Sequence, residues 1–262
     1  MSLSGKTLKD TYIDLLQLDN SNGGVSTSLK DVKDGGGSTS CLSVSDDALQ
    51  IKPQNDDSIA TFNIKTTGNS SVLSVNTSSE IVMASGNAVN TQFATFSIGS
   101  TESSVFAANE HQAIPFGSAN YSSASYPPDF GSGTDPATTY TTSNSSDTNS
   151  ANLVPCIWYL PNAISIDSVV HLEGADAASG DTTRMHLFSY DFTSGATSCL
   201  TNGTLLAHNT DITNAGREQP YLSSWTVDSA AVAAGKVILA FFRSDSVNSD
   251  YALQVTVKYH LT

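Results

Sequence analysis

Five histidines, three cysteines and a scattering of carboxylates are the residues on which any chemistry would rest. His111, His171, His186, His208 and His260 do not stand at metal-ligand spacing from one another. The one pairing to consider is His171 with His186, if their strands are neighbours; otherwise each reads as a partly exposed strand histidine. Cys41, Cys156 and Cys199 are too few for a disulfide scaffold, and there is no C-x-x-C. They read as free thiols, with Cys156 a small core residue inside an apolar run. Asp19-Asn-Ser-Asn-Gly-Gly24 opens like a calcium loop, but position twelve, which needs a bidentate acid, is Lys30. The segment is therefore a turn. Among 41 serines none sits in a G-x-S-x-G elbow. Asp167, Glu173, Asp176, Asp181 and Asp191 lie in or beside apolar runs, where a glycosidase would need a carboxylate pair. Their ordinary reading is that of solvated turn acids. Tyr159, Tyr190, Tyr221 and Trp225 are able to stack on sugar rings, although core packing is the commoner fate of strand aromatics. No catalytic, cofactor-binding or metal site is expected, and the chain reads as non-enzymatic.

Charge narrows the partners. The 262 residues hold 11 Lys+Arg against 25 Asp+Glu, a formal net charge of −14. Nucleic-acid affinity comes mainly from basic groups on phosphates, so a nucleic-acid partner is not expected. No run approaches the ~18 apolar residues of a spanning helix, and a membrane partner is not expected either. The start, Met1-Ser-Leu-Ser-Gly-Lys6, has no apolar run after its lysine and does not read as a secretory leader. Residues 66–183 carry ten acids and no Lys or Arg, whereas residues 1–65 carry six lysines. The acidic middle favours solubility and repels other anionic bodies.

The elements that must carry these residues are short. Lys6 to Leu18 predicts a helix, because Leu8, Tyr12, Leu15 and Leu16 fall at i, i+4, i+7 and i+8. About three turns are marginal alone in water, so that stripe needs a partner surface. Strands are predicted at Leu29–Lys33, Cys41–Val44, Ala48–Ile51, Ile59–Lys65, Val72–Asn76 and Ile81–Met83, separated by Gly/Asn/Asp/Ser turns. Phe62 is the sole aromatic of residues 20–87. Units with so little to bury are marginal as monomers, which argues for repetition around a symmetry axis. Residues 117–150 contain no Val, Ile, Leu or Met but four aromatics, and read either as an inserted loop, the preferred reading, or as a linker. Beyond them, strands are predicted at 153–160, 164–172, 184–190, 204–207, 221–227, 236–242 and 251–261, with one helical turn at 228–235. Leu253, Val255, Val257, Tyr259 and Leu261 share one face of the last.

The expected fold is all-β. A short N-terminal helix and a small β anchor region precede a C-terminal β-sandwich, jelly-roll-like, and the chain is expected to be trimeric. Residues 1–57 would form the anchor or assembly region, 58–87 a strand–turn–strand connector, and 88–262 the knob with its polar loop at 117–150.

Two stretches carry a family resemblance. Tyr12-Ile-Asp-Leu-Leu-Gln-Leu-Asp-Asn-Ser-Asn-Gly-Gly-Val25, followed by Val32-Lys-Asp-Gly-Gly-Gly-Ser-Thr-Ser40, resembles the N-terminal segments of fibre-like virion proteins of tailed bacteriophages. Phe62-Asn-Ile-Lys-Thr-Thr-Gly-Asn-Ser-Ser-Val-Leu-Ser-Val-Asn-Thr77 is similar to the strand–turn–strand unit of their shafts. The resemblance spans residues 8–83. It implies a homotrimeric virion component with an N-terminal attachment part and a distal knob. A head decoration (cement) protein on the capsid surface, clamping the major capsid protein, is one placement. A short tail fibre, touching tail proteins and a host glycan or protein receptor, is the other. Room for only one or two shaft units favours decoration. The assembly residues implied are Leu8, Tyr12, Leu15, Leu16, Val32, Leu42 and Phe62.

Overall fold

Runs of four to seven β-branched and aromatic residues, broken by Gly, Asn, Asp and Ser, leave this chain few alternatives to antiparallel sheet. The computed structural model describes residues 16–20, 23–99, 108–117, 129–132, 139–140, 153–176, 178–195, 200–216, 219–246 and 250–262. Absences and counts below refer to these residues. They are almost all β, and they fall into two units, Met1–Val89 and Asn90–Thr262.

The N-terminal unit holds two antiparallel meanders. The first runs β1 (Gln17–Leu18), β2 (Lys30–Lys33), β3 (Thr39–Val44) and β4 (Leu49–Ile51), each pairing with the next. The second runs β5 (Phe62–Lys65), β6 (Ser71–Asn76), β7 (Ile81–Ala84) and β8 (Asn87–Ala88) in the same way. Turn chemistry sets the registers. The Thr66 N–H donates to the Ser70 carbonyl at 2.8 Å, and Asn69 takes the positive φ of 67° that this turn needs. Ser85 and Gly86, at φ 48° and 83°, form the two-residue connection of a tight hairpin between β7 and β8. Asp34 closes the β2–β3 turn by accepting the Ser38 N–H at 2.8 Å, which holds its carboxyl below the usual range.

The helix expected over Lys6–Leu18 does not reach its predicted end. Gln17 and Leu18 are extended and pair with Lys33 and Val32. A strand partner satisfies their backbone groups, which a frayed last helical turn would leave to water. Leu8, Tyr12 and Leu15 lie outside the described residues.

The C-terminal unit is a β-sandwich. Its strands are β9 (Thr91–Ile98), β10 (Glu110–Ile114), β11 (Asp129–Ser132), β12 (Thr139–Tyr140), β13 (Trp158–Tyr159), β14 (Ile164–Asp176), β15 (Thr182–Asp191), β16 (Gly203–His208), β17 (Ile212–Thr213), β18 (Pro220–Ser224), β19 (Thr226–Val227), β20 (Ala231–Val232), β21 (Lys236–Ser244) and β22 (Asp250–Leu261). One sheet has the order β18-β14-β22-β9, with β20 also on β14. The other has the order β11-β10-β21-β15-β16-β12, with β13 on β21, β17 on β15 and β19 on β16. Ala94, Phe96, Ile166, Val169, Leu253, Val255 and Val257 from the first sheet pack with Met185, Leu187, Leu206, Ile238, Ala240 and Phe242 from the second in one core.

The larger sheet is buried on its outer face too. There Phe188, Tyr190, Leu205, Val237, Leu239 and Phe241 pack with Cys156, Leu200 and, at the margin, Leu153 and Ile157. Burial on both faces explains why β21 is an unbroken apolar run, while β22, buried on one, alternates.

Two predicted elements are corrected. Residues 153–160 are not one buried strand: Val154–Cys156 is a single 3-10 turn containing Pro155, and β13 is short. Proline lacks the N–H a central strand must donate, and its fixed φ suits the first turn of a helix. The helical turn expected at 228–235 is instead β20, paired with Ile164 and Ser165. Within 117–150, predicted to be a loop, β11 and β12 pair on opposite edges of the larger sheet.

Candidate assembly surfaces

In an antiparallel sheet, residues directly opposite each other share a face. In the β5–β8 sheet, Phe62 stands opposite Val75, which stands opposite Val82. Ile64 stands opposite Leu73, which stands opposite Ala84. One face therefore carries six apolar side chains in two rows of three. The other presents Asn63, Ser74, Met83 and Ala88. The apolar face is open: Phe62, Ile64 and Val82 are 37%, 47% and 42% exposed, and Leu73 and Val75 are half-buried.

The β1–β4 sheet repeats the pattern. Leu18 faces Val32, Leu42 faces Ile51, and Val44 joins Lys30 and Leu49 in a third row. Val32 is buried and Leu42 half-buried, while Leu49 is exposed. On the opposite face Asp31 accepts the Ser43 hydroxyl at 2.8 Å. Lys33 meets Asp19 at 2.6 Å, which raises the ammonium pKa. Among described residues of this unit only Val32 and Ala88 are buried apolar ones.

Of the residues the sequence singled out here, Val32 and Leu42 come together on one sheet, and Phe62 sits on the other. Leu16 precedes β1 and is exposed. Ile64, Leu73, Val75, Val82 and Ala84 were missed. Part of the signal is in the sequence: the alternation of Phe62–Lys65 and Val72–Asn76, read together across the Thr66–Ser70 turn, puts Phe62, Ile64, Leu73 and Val75 on one side and Val72 on the other.

The chemical candidates of the C-terminal unit turn inward. His171 and His186 do not meet, because β14 and β15 belong to different sheets. Nor are they partly exposed: His111, His171 and His186 are buried. A bulge between Ile166 and Ser168 shifts the phase of β14, so that Val169, His171 and Glu173 face the core. Glu173 is consequently not a solvated acid. Its carboxylate accepts the Thr183 hydroxyl at 2.9 Å and the Asn214 amide at 3.2 Å. The Trp225 indole N–H donates to His171 Nδ1 at 2.6 Å, which leaves the imidazole proton on Nε2, 3.8 Å from the Glu173 carboxylate. This network pairs the Glu173 carboxylate and His171 Nδ1, which the bulge drives inside, and leaves His171 Nε2 without a hydrogen bond among the described residues.

On the outer face of the larger sheet, His111 and His186 lie with ring centroids 5.6 Å apart. Burial first, then the neighbouring His111, Arg184, His208 and Arg243, lower the His186 pKa to about 2. His208 and His260 are paired with Asp228 at 2.7 Å and Asp167 at 2.8 Å. Among the described residues no three His, Cys, Asp or Glu side chains group around a common metal position.

Tyr190 and Trp225 are core residues, whereas Tyr159 is exposed. Cys156 is buried and Cys41 exposed; Cys199 lies outside the described residues. The outer face of the smaller sheet carries a shallow depression of about 450 Å³ over Gly174 and Ala252, rimmed by Leu172, Pro220 and Gln254. No helix among the described residues is long and apolar enough to cross a membrane.

No protein-family model and no curated protein matches this chain.

Proposed function

We propose that this chain is a non-enzymatic virion structural protein of a tailed bacteriophage, a homotrimeric head decoration protein. Its N-terminal region clamps subunits of the major capsid protein, and its C-terminal sandwich projects as a knob. The observation that carries this reading is the contrast between the units. The C-terminal unit buries its apolar side chains in two clusters, while in the N-terminal unit the β5–β8 sheet leaves its apolar face open and the β1–β4 sheet leaves Leu49 exposed. A layer of that kind needs other chains to complete it. The resemblance of residues 8–83 to phage fibre-like proteins supports the virion setting.

The work of such a protein is mechanical. Apolar surface closed against neighbours stabilises by ~25 cal/mol per Å² before association costs are subtracted. Decoration at joints between capsid subunits thereby resists internal pressure, with the acidic knob facing solvent.

The deciding experiment is an electron-microscopic reconstruction of the particle. Many trimers at local threefold positions of the capsid are expected. A few copies at the tail would make the chain a fibre, and absence from the particle would overturn the virion reading. Leu15→Asp is expected to weaken attachment while leaving the knob folded, as checked by particle binding and by the knob's thermal transition.

A further inference from the structure

We propose that the apolar face of the β5–β8 sheet is where copies of this chain meet, with Phe62, Ile64, Leu73, Val75, Val82 and Ala84 of each copy turned toward a shared axis. This inference rests on the homotrimer proposed above and names the side chains at its centre.

The six side chains in the two rows of this face are all apolar, with Asn87 continuing the second row past Ala84, whereas the opposite face mixes Val72, Ile81 and Met83 with Asn63 and Ser74. A contiguous apolar patch of this kind, edged by polar turns, is a mark of an interaction site. Its charge points to another copy as the occupant. Each copy carries a formal −14, so two copies repel over most of their surface. Residues 58–89 hold one lysine, Lys65, and one acid, Glu80, and so are formally neutral. Copies approach through this sheet with the least electrostatic opposition.

Three strands by four residues cover roughly 14 Å by 14 Å, from strand spacing and rise. That falls well short of the ~800 Å² per partner of a stable two-body interface. Cyclic symmetry divides this area between two contacts, so the face is the centre of a larger contact and not the whole of it.

The test is sedimentation of the full chain at micromolar concentration, for the wild type and for Val75→Asp, Ala84→Glu and Val75→Leu. The wild type and Val75→Leu are expected at three times the 27.4 kDa chain mass. Val75→Asp and Ala84→Glu are expected to fall threefold, to one chain. Both tryptophans, Trp158 and Trp225, lie in the C-terminal unit, so unchanged tryptophan emission shows that the knob stays folded.

A single-chain wild type overturns the proposal. If deleting residues 1–15 from such a monomer opens the face to a hydrophobic dye, the chain's own N-terminus is the occupant. Trimers that survive both acidic substitutions also overturn it. The two readings fail separately. If the Val75→Asp trimer persists and decorates particles, this face is wrong and the virion function stands. If the trimer depends on Val75 but the particle lacks the chain, the face stands and the virion function falls.

Discussion

Val255 and Val82 are both valines within antiparallel sheets, Val255 between Phe96 and His171 and Val82 beside Val75. Val255 is fully buried because a second sheet lies over it, and Val82 is 42% exposed. The difference lies in the number of layers and not in the kind of strand. In the C-terminal unit two sheets close on a shared core, and the outer face of the larger is covered as well. In the N-terminal unit each sheet is a meander of short strands, and that of β5–β8 has one apolar side left open. One unit closes its core within a single chain; the other leaves apolar side chains open.

The comparison is sharpened first by removing a large core side chain. Phe242 is buried and packs on Tyr251 at a ring separation of 4.8 Å. Phe242→Ala is expected to lose about 3–5 kcal/mol of stability in chemical denaturation followed by tryptophan fluorescence. A loss below about 1 kcal/mol would mean that the sandwich is not the self-sufficient part.

Gly203 comes next. A Cβ there would fall against the ring of Tyr190, which is buried. Gly203→Ala is expected to cost up to about 3 kcal/mol through overpacking. Gly174→Ala, where an added Cβ meets nothing within 4 Å, is the control and should shift stability by less than about 0.5 kcal/mol.

Acid probes the same outer face. His186 has a lowered pKa of about 2 in the folded chain against 6.5 when unfolded. The unfolded chain therefore binds the proton first, and stability present above pH 6.5 is lost as pH falls toward 2. Between pH 7 and pH 5 the loss from this one group is about 2 kcal/mol. Urea unfolding at the two pH values reads it, and His186→Gln should flatten the slope. A slope unchanged by that substitution would assign the acid sensitivity elsewhere.

The smallest effect is expected at Val82→Ala. It should leave the knob's transition within about 0.5 kcal/mol, since Val82 supports no part of that core. Its consequence is expected in the dissociation constant of the proposed trimer, measured by sedimentation. A large loss of knob stability would erase the distinction between the units.

Much of the fold was legible from sequence. The Thr66–Ser70 hairpin followed from its turn residues. The alternation of Leu253, Val255 and Val257 foretold their burial, and the apolar run at 236–242 was a predicted strand that β21 matches. The candidate surface was legible only in part. Val32, Leu42 and Phe62 were named, but Val75 and Val82 become their equals only once strand order places three strands side by side.

What escaped has local reasons. β11 and β12 lie in a segment without aliphatic side chains longer than alanine, so no hydrophobic period announces them; they are held by edge pairing. His171 and Glu173 were misread because one bulge reverses the facing of every later residue in β14. The predicted helix met a strand at Gln17–Leu18 because pairing with β2 is a tertiary event that periodicity does not register.

By itself, the sequence determined that this chain is all-β, strongly acidic and short of apolar side chains over residues 20–87, because composition, turn residues and side-chain period act locally along the chain. Only the tertiary structure decided which apolar residues close on one another and which stay open. That depends on sheet order, register and bulges, which bring together residues far apart in sequence.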